Sequence, residues 1–247
     1  MITKEIVNIS KRNLVCFRSG EGSPTVILEA GLGDTLEIWE KIQASVSEFT
    51  SVCSYDRAGQ GQSDPAPIPR TCQDMAADLR ALLTHAKIPP PYVLVGHSFG
   101  GMIVRLYAHL YPQEVAGMVL VDAVHEDRDI GFEAVMSEDL IQRNRTYLQH
   151  PERNSENVDK IASAVQLRAA RRVFDFPIHV LTRGKPDEDD PVWPSAALQK
   201  IETDLQGEFL KFSLKSRRIF AEKSGHYIQQ DEPELVINAI RQVALGV

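Results

Sequence analysis

The sequence predicts an α/β fold: a mostly parallel, twisted sheet with helices on both faces and a helical cap inserted between two strands. Short apolar runs typical of buried strands alternate along the chain with segments whose apolar residues recur at helical spacing. This alternation is typical of βαβ units. The segment 122–177 contains no strand pattern, only polar sequence with helical tendency. An unstructured loop of that length is uncommon inside a compact domain, so helices are expected there.

Four strands and one helix are predicted near the N-terminus. "EIVNIS" and "LVCFRSG" alternate apolar and polar residues up to Gly20, which predicts an antiparallel pair. "TVILEAG", 25–31, is a continuous apolar run typical of a strand buried on both faces, and "SVCSYD" is another short strand. Between them, "TLEIWEKIQASV" predicts a helix through the spacing of four apolar residues: Leu36, Trp39, Ile42 and Val46.

The alternation continues to the end of the chain. The segment 71–86 predicts a helix, "YVLVG" a strand, "GGMIVRLYAHLY" a helix that Pro112 ends, and "GMVLVDAV" a strand. Beyond the insertion, strand and helix patterns alternate again: "PIHVLTRG", "SAALQKIETDLQGEF", "RRIFAEKSGH" and "PELVINAIRQVAL". Since no internal repeat or low-complexity linker interrupts them, one domain is predicted, 1–247, with a helical cap at about 126–174.

Charge and composition disfavour several classes of function. The chain has 43% hydrophobic and 25% charged residues, which is ordinary for a globular protein with a sizeable core. The net charge of −7 disfavours a nucleic-acid partner, since phosphate binding needs clustered Lys and Arg. The densest basic cluster, "RAARR" at 168–172, is interpreted as a solvated helix face. Three cysteines without C-x-x-C spacing argue against a disulfide framework or a zinc site and favour a reducing compartment.

No targeting or membrane segment is recognisable. The N-terminal "MITKEIVNIS" lacks the apolar core of a signal peptide. No run approaches the roughly 20 apolar residues that a membrane helix needs. A cytoplasmic location without a membrane partner is therefore expected, and the sequence carries no indication of oligomeric state.

A G-x-S-x-G pattern, Gly96 to Gly100, lies between a predicted strand and a predicted helix. Such a turn holds its serine in a strained conformation, and the flanking positions need glycine to avoid clashes. The amino end of the following helix also directs N–H groups towards negative charge that develops near Ser98. The pattern therefore predicts Ser98 as a nucleophile.

Three segments, "VLVGHSFGG", "SYDRAGQGQSD" and "SGHYIQQDEPELV", resemble recurring segments of the α/β-hydrolase family. The resemblance runs from about Thr25 to the C-terminus. It implies the α/β-hydrolase fold, no cofactor, and membership of the compact serine esterase, lactonase and C–C hydrolase branch with a short cap. It also implies a histidine base after the last strand, where His226 matches, and a serine hydroxyl needs such a base. His97, inside the turn, is interpreted as a residue that orients neighbouring loops.

Two carboxylates compete for the acid of the catalytic triad. Asp122 ends the strand "GMVLVDAV", a position from which some family members take their acid. Asp187, after "PIHVLTRG", resembles the commoner family placement, but it begins the run "DEDD", which is typical of a solvated loop. A carboxylate at the end of a buried strand is rigid and partly desolvated, as holding one imidazole tautomer requires. Asp122 is therefore preferred, and Asp187 stays the alternative.

The resemblance also implies an oxyanion hole. The N–H of Phe99, directly after the nucleophile, supplies one donor, and the N–H of Leu32 in "EAGLG" supplies the second. Relatives carry a histidine where Ala30 stands, but backbone donors survive changes of side chain. Asp56 and Arg57 are interpreted as an ion pair or helix cap that holds two loops together.

The expected activity is hydrolysis of a small, uncharged ester or lactone through an acyl-enzyme on Ser98. No metal is expected, because "DAVHED", 122–127, is not supported by a second His or Cys cluster. One alternative keeps the triad but cleaves the C–C bond of a diketone, or performs a related lyase or peroxidase reaction. A non-catalytic ligand receptor on the same fold is the other alternative. The expected partner is in each case a small molecule.

Overall fold

Eight strands form one sheet in the computed structural model, which describes residues 2–187 and 192–246. The order across the sheet is β1-β2-β4-β3-β5-β6-β7-β8. β2 pairs antiparallel with β1 and β4, and all other neighbours are parallel. The predicted parallel sheet and opening antiparallel pair are thus confirmed. The strands are β1 (Thr3–Asn8), β2 (Asn13–Ser19), β3 (Thr25–Glu29), β4 (Val52–Tyr55), β5 (Tyr92–His97), β6 (Val115–Val121), β7 (Ile178–Arg183) and β8 (Ser216–Ala221).

The α-helices of the described residues follow the predicted order. They are α1 (Glu40–Val46), α2 (Cys72–His85), α3 (Gly100–Leu110), α4 (Arg128–Glu133), α5 (Glu138–Leu148), α6 (Lys160–Ala169), α7 (Ser195–Glu208), α8 (Ile228–Asp231) and α9 (Pro233–Leu245). Three of them, α4 to α6, occupy the long connection between β6 and β7, where the sequence predicts helices. The assignment of that connection as the cap of a single domain stays a prediction.

Both faces of the central strands are covered by helices. β3, β5 and β7 are buried along their whole length, as their continuous apolar runs predict. Leu94 packs into a cluster with residues of α2 and α3, whereas Val93 and Val95 pack with residues of α1 and α9. Each such buried aliphatic side chain contributes about 1.5–3 kcal/mol. The carboxyl ends of these strands therefore form a fixed edge, where ligands of such sheets bind.

The first predicted helix begins differently from the prediction. Leu36–Trp39 form a 3₁₀ turn, and the α-helix starts only at Glu40. The turn is held from outside, because the buried carboxylate of Asp56 accepts a hydrogen bond of 2.9 Å from the N–H of Leu36. This contact confirms that Asp56 caps a helical segment.

Two further observations concern the described residues. The three cysteines, Cys16, Cys53 and Cys72, are buried free thiols. Among residues 2–187 and 192–246, no helix is both long enough and apolar enough to cross a bilayer.

Candidate active site

Ser98 occupies the sharp turn between β5 and α3 with a φ of +52°, a value that costs a non-glycine residue about 1–3 kcal/mol. Two hydrogen bonds to the end of the neighbouring β6 hold the turn. The N–H of Ser98 donates to the carbonyl of Val121 at 3.0 Å, and the carbonyl of Ser98 accepts from the N–H of Val124 at 3.0 Å. The sheet edge therefore maintains the strained conformation that the sequence predicts.

The two glycines that flank the turn are required by space. A Cβ atom at Gly96 would lie 2.7 Å from Val104 Cγ2, on the first turns of α3. A Cβ atom at Gly100 would lie only 2.5 Å from the carbonyl oxygen of Ala30. A side chain at Gly96 would push α3 away from β5, and one at Gly100 would push α3 away from the end of β3, so the G-x-S-x-G pattern follows from close backbone packing.

The hydroxyl of Ser98 contacts an imidazole contributed from far along the chain. His226 Nε2 lies 2.9 Å from Ser98 Oγ. His226 stands in the loop between β8 and α8, and a hydrogen bond holds this loop to the end of α8: Gly225 N–H donates to Asp231 Oδ2 at 2.8 Å. The His226 side chain is 35% exposed, so a substrate can reach it. This distance is within the range expected for a hydroxyl and its general base.

Asp122 lies against the other side of the imidazole, with its Oδ2 at 2.6 Å from His226 Nδ1. The Asp122 side chain is 2% exposed. Its Oδ1 accepts a hydrogen bond of 3.0 Å from Gln206 Nε2, and the guanidinium of Arg183 approaches Oδ2 to 3.4 Å. Burial raises the pKa of Asp122, but the hydrogen bond and charge of His226, with the nearby Arg183, together hold the pKa below its ordinary value. The carboxylate is therefore ionised at neutral pH.

The alternative acid, Asp187, does not contact His226. Its side chain is 64% exposed and binds the guanidinium of Arg183, with Nη2 at 3.0 Å from its Oδ2. Arg183 also binds Glu202 at 2.8 Å. The Asp187 carboxylate is thus exposed to solvent and paired with Arg183, whereas Asp122 is buried directly after the end of β6. The structure brings Ser98, His226 and Asp122 together and leaves Asp187 outside.

The two predicted oxyanion residues lie on the same cavity as Ser98. This cavity, of about 110 Å³, is lined by Leu32, Ser98 and Phe99 on the sheet side. Leu32 belongs to the turn after β3, and Phe99 caps the amino end of α3. Both residues are therefore placed where their N–H groups could serve a reacting carbonyl at Ser98, and this role stays a prediction.

The loop that carries Leu32 is held by the buried guanidinium of Arg57. Arg57 Nη1 donates to the carbonyl of Ala30 at 2.7 Å, and Nη2 donates to the carbonyl of Gly31. Arg57 also pairs with Glu29 at 2.6 Å. The interpretation of Arg57 as an ion-pairing residue that holds loops is confirmed.

The second carboxylate that pairs with Arg57 belongs to Glu156, a residue that the sequence did not indicate. Glu156 lies between α5 and α6; its Oε2 accepts from Arg57 Nε at 2.9 Å, and its Oε1 accepts from the N–H of Gly33 at 2.6 Å. Its side chain is almost fully buried. No sequence signal could have found it, because a single Glu in polar helical sequence is normally a surface residue. Gln206, which donates a hydrogen bond to Asp122, was also missed, because a single Gln in a helical sequence is likewise normally a surface residue.

His97 contacts the segment that carries the imidazole base. Its buried ring lies with Nε2 at 3.0 Å from the backbone carbonyl of His226. Because a carbonyl can only accept, Nε2 carries the hydrogen. Burial lowers the pKa of His97. The ring thus supports the position of His226 and does not face Ser98 as a base, as the sequence interpretation holds.

Two arginines of the "RAARR" cluster, which is interpreted as a solvated helix face, form ion pairs. Arg168 Nε donates to Asp127 at 2.6 Å, and Arg171 Nε donates to Glu126 at 2.7 Å. These two arginines connect the end of α6 and the residues after it to the segment after β6, but their side chains are 35% and 44% exposed, so the cluster is solvated as interpreted; of its arginines only Arg168 lies within α6. No set of three or more His, Cys, Asp or Glu side chains in 2–187 and 192–246 is arranged to hold a metal ion.

Comparison with known proteins agrees with this architecture. Residues 24–166 match the family described as alpha/beta hydrolase fold. The protein YqjL of Bacillus subtilis is 30% identical over 226 residues, which cover 92% of this chain and 85% of YqjL. An AB hydrolase superfamily protein of Gibberella zeae is 26% identical, with 92% of this chain and 88% of that protein covered. The solved structure of a hydrolase from Pseudomonas aeruginosa has a TM-score of 0.68 at 19% identity, covering 100% of this chain and 98% of that one. The chain belongs to the α/β-hydrolase fold family.

Proposed function

We propose that the protein is a serine hydrolase that cleaves a small carboxylic ester or lactone through an acyl-enzyme on Ser98. One observation carries the proposal: Ser98, His226 and Asp122 form a continuous hydrogen-bonded chain with steps of 2.9 and 2.6 Å. These three side chains have the order and the hydrogen-bond distances that nucleophilic catalysis by a serine requires.

Each of these three residues has a distinct role in the proposed reaction. Ser98 Oγ attacks the carbonyl carbon while His226 Nε2 takes the hydroxyl proton. Asp122 accepts the Nδ1–H of His226 and stabilises the imidazolium that forms. The alcohol leaves with the proton from His226, and a water activated by the same imidazole then releases the acid from Ser98.

The carbonyl oxygen becomes negative in the tetrahedral intermediate. The N–H groups of Leu32 and Phe99, on the wall of the Ser98 cavity, are the proposed donors to this oxygen. The close backbone packing at Gly100 and the contacts of Arg57 with the loop before Leu32 support this assignment, because both hold the segments that carry the proposed donors. Such pre-positioned donors act mainly on the transition state.

The test combines covalent labelling with turnover. A fluorophosphonate should label Ser98, and p-nitrophenyl butyrate should be hydrolysed. Ser98→Ala should lose the label and reduce turnover by at least about 10³-fold. Ser23→Ala, an exposed serine before the amino end of β3, is the matched control and should behave as wild type. An unlabelled wild-type protein would refute the proposal, and turnover of diketones in place of esters would assign the chain to C–C cleavage.

A further inference from the structure

Arg128, the first residue of α4, stands in the wall of the cavity that contains Ser98. The same wall carries Lys160, the first residue of α6. Arg128 also lines a smaller void together with His226 and Asp122. A guanidinium therefore lies between two spaces that flank the Ser98–His226 pair, and nothing in the proposed hydrolytic steps uses it.

The guanidinium of Arg128 lacks the hydrogen bonds that a mostly buried arginine normally makes. Its side chain is 23% exposed, and its buried Nε has no hydrogen-bond partner among the described residues. The nearest carboxylate oxygens, of Asp129 and Glu202, stand 3.5 and 3.7 Å away, beyond good hydrogen-bond distance. Arg105, whose side chain is 4% exposed, by contrast donates at 2.7 Å to Glu126. Arg128 thus has donors to spare for a ligand.

Two of the three carboxylates near Arg128, those of Glu126 and Glu202, pair more closely with other cations, whereas Asp129 has Arg128 as its ion-pair partner at 3.5 Å. Both oxygens of Glu126 are occupied, by Arg105 and by Arg171, each at 2.7 Å. Glu202 Oε2 accepts from Arg183 at 2.8 Å. Among the described residues, the charge of Arg128 is therefore balanced only by long contacts with Asp129 and Glu202, which leave its hydrogen-bond donors available to a closer acceptor.

Lys160 adds a second cation with free donor capacity. Its Nζ donates to the hydroxyl of Tyr147 at 3.1 Å and lies 4.7 Å from the centre of that ring. Within the part of the chain that the structure describes, it forms no ion pair with a carboxylate. The ammonium can therefore turn one of its remaining hydrogens towards a negative group in the cavity.

We propose that the substrate carries a carboxylate, bound by Arg128 and flanked by Lys160, in addition to the bond that is cleaved. A planar guanidinium and a carboxylate form paired, charge-assisted hydrogen bonds, and Lys160 supplies a second point charge. A site with unfilled buried donors rejects ligands that lack the matching acceptor. This inference rests on the proposed ester hydrolysis and replaces the expectation of an uncharged substrate with that of a half-ester of a dicarboxylic acid or an ester of a hydroxy acid.

The experiment compares pairs of esters in which the free carboxylate of one member is a methyl ester in the other. Monomethyl glutarate with dimethyl glutarate tests a carboxylate in the acyl part. Butyryloxyacetate with its methyl ester tests a carboxylate in the alcohol part. For wild-type protein, kcat/KM should be higher for the charged member of at least one pair, mainly through a lower KM, since a binding contact far from the reacting carbonyl acts on both ground and transition states.

Variants test whether Arg128 causes the preference for the charged ester. In Arg128→Gln the ratio of kcat/KM for charged over neutral ester should fall about 10- to 100-fold, and Arg128→Lys should retain part of it. Arg143→Gln removes the same charge from an exposed position on α5 and should leave the ratio unchanged. Thermal melting of each variant separates loss of fold from loss of the charge preference.

Labelling of Ser98 gives a second readout that does not depend on ester turnover. Free glutarate should slow fluorophosphonate labelling of wild type, and it should do so less in Arg128→Gln. If Ser98 is labelled but neither pair shows a charge preference and glutarate gives no protection, the carboxylate site is refuted while the hydrolase proposal stands. If Ser98 is not labelled and no ester is cleaved, both proposals fall together.

Discussion

The carboxylate of Glu156 accepts a hydrogen bond of 2.6 Å from the backbone N–H of Gly33. Glu156 belongs to the connection between β6 and β7, and Gly33 follows Leu32 in the loop after β3. Since Glu156 also pairs with Arg57, which holds the carbonyls of Ala30 and Gly31, one buried cluster joins the insertion to this loop. The position of the proposed oxyanion donor Leu32 thus depends on a residue more than a hundred positions away.

Glu156→Gln should lower kcat for ester hydrolysis roughly 10- to 100-fold with little change of KM, because loosened oxyanion donors weaken mainly the transition state. The amide keeps one oxygen but turns an NH₂ group towards Arg57, which cannot accept from it. Steady-state kinetics measures the effect. Glu152→Gln, an exposed glutamate of the same connection, is the control and should match wild type. A raised KM at constant kcat would contradict this positioning role.

Asp122→Asn should lower kcat about 10³- to 10⁴-fold. Asp122 Oδ1 accepts from Gln206, so the oxygen of an introduced amide would take that place and its NH₂ would face His226 Nδ1. The imidazole would then carry its hydrogen on Nε2 and could not accept the proton of Ser98. Fluorophosphonate labelling rates measure this directly.

Asp187→Asn is the matched variant and should retain most of the activity. Its carboxylate is exposed and binds Arg183, not His226. A large loss in Asp187→Asn together with a small loss in Asp122→Asn would reverse the assignment of the acid.

Gly100→Ala should destabilise the protein by about 1–3 kcal/mol and slow labelling of Ser98. The added Cβ would meet the backbone oxygens of Ala30 and Glu29 at 2.5 and 2.6 Å, and buried backbone cannot move aside cheaply. Gly207→Ala is the control: in α7 the Cβ would meet only the flexible end of Arg218, at 3.1 Å, and alanine favours the helix. Urea unfolding of both variants tests the contrast, and equal stabilities would contradict it.

Glu126 should make stability depend on pH in the acid range. Burial raises its pKa, but Arg105 and its other cationic neighbours lower the pKa to about 2, well below its ordinary value. The resulting stabilisation, roughly 3 kcal/mol, is fully present above the unfolded pKa and is lost as the pH falls through the folded pKa. Wild type should therefore exceed Glu126→Gln in unfolding free energy at about pH 7, and the difference should shrink by about pH 3.

Urea unfolding at both pH values measures the difference for Glu126→Gln. Glu48→Gln, an exposed position, should show no comparable change of the difference with pH. A difference for Glu126→Gln that stays constant between the two pH values would refute the role of this carboxylate.

Patterns that arise within one segment could be read from the sequence. Alternation of apolar residues predicts the strands and helices, and glycines beside Ser98 predict a tight turn, because both depend on backbone geometry over a few residues. The preference for Asp122 over Asp187 also came from local reasoning, since a buried strand end holds a carboxylate more rigidly than an acidic loop does. The structure places Asp122 beside His226 accordingly.

Only the tertiary structure decided which distant side chains meet. Glu156 binds Gly33, Asp187 binds Arg183, and Arg128 lines the Ser98 cavity with no hydrogen-bond partner for its Nε among the described residues, although no pattern in the sequence distinguishes these residues. Whether a charged side chain is exposed or forms a buried ion pair depends on which elements the tertiary fold places next to it. Which elements become neighbours is determined by the packing of whole elements, which is why the sequence could indicate candidate reacting groups and not the ion pairs around them.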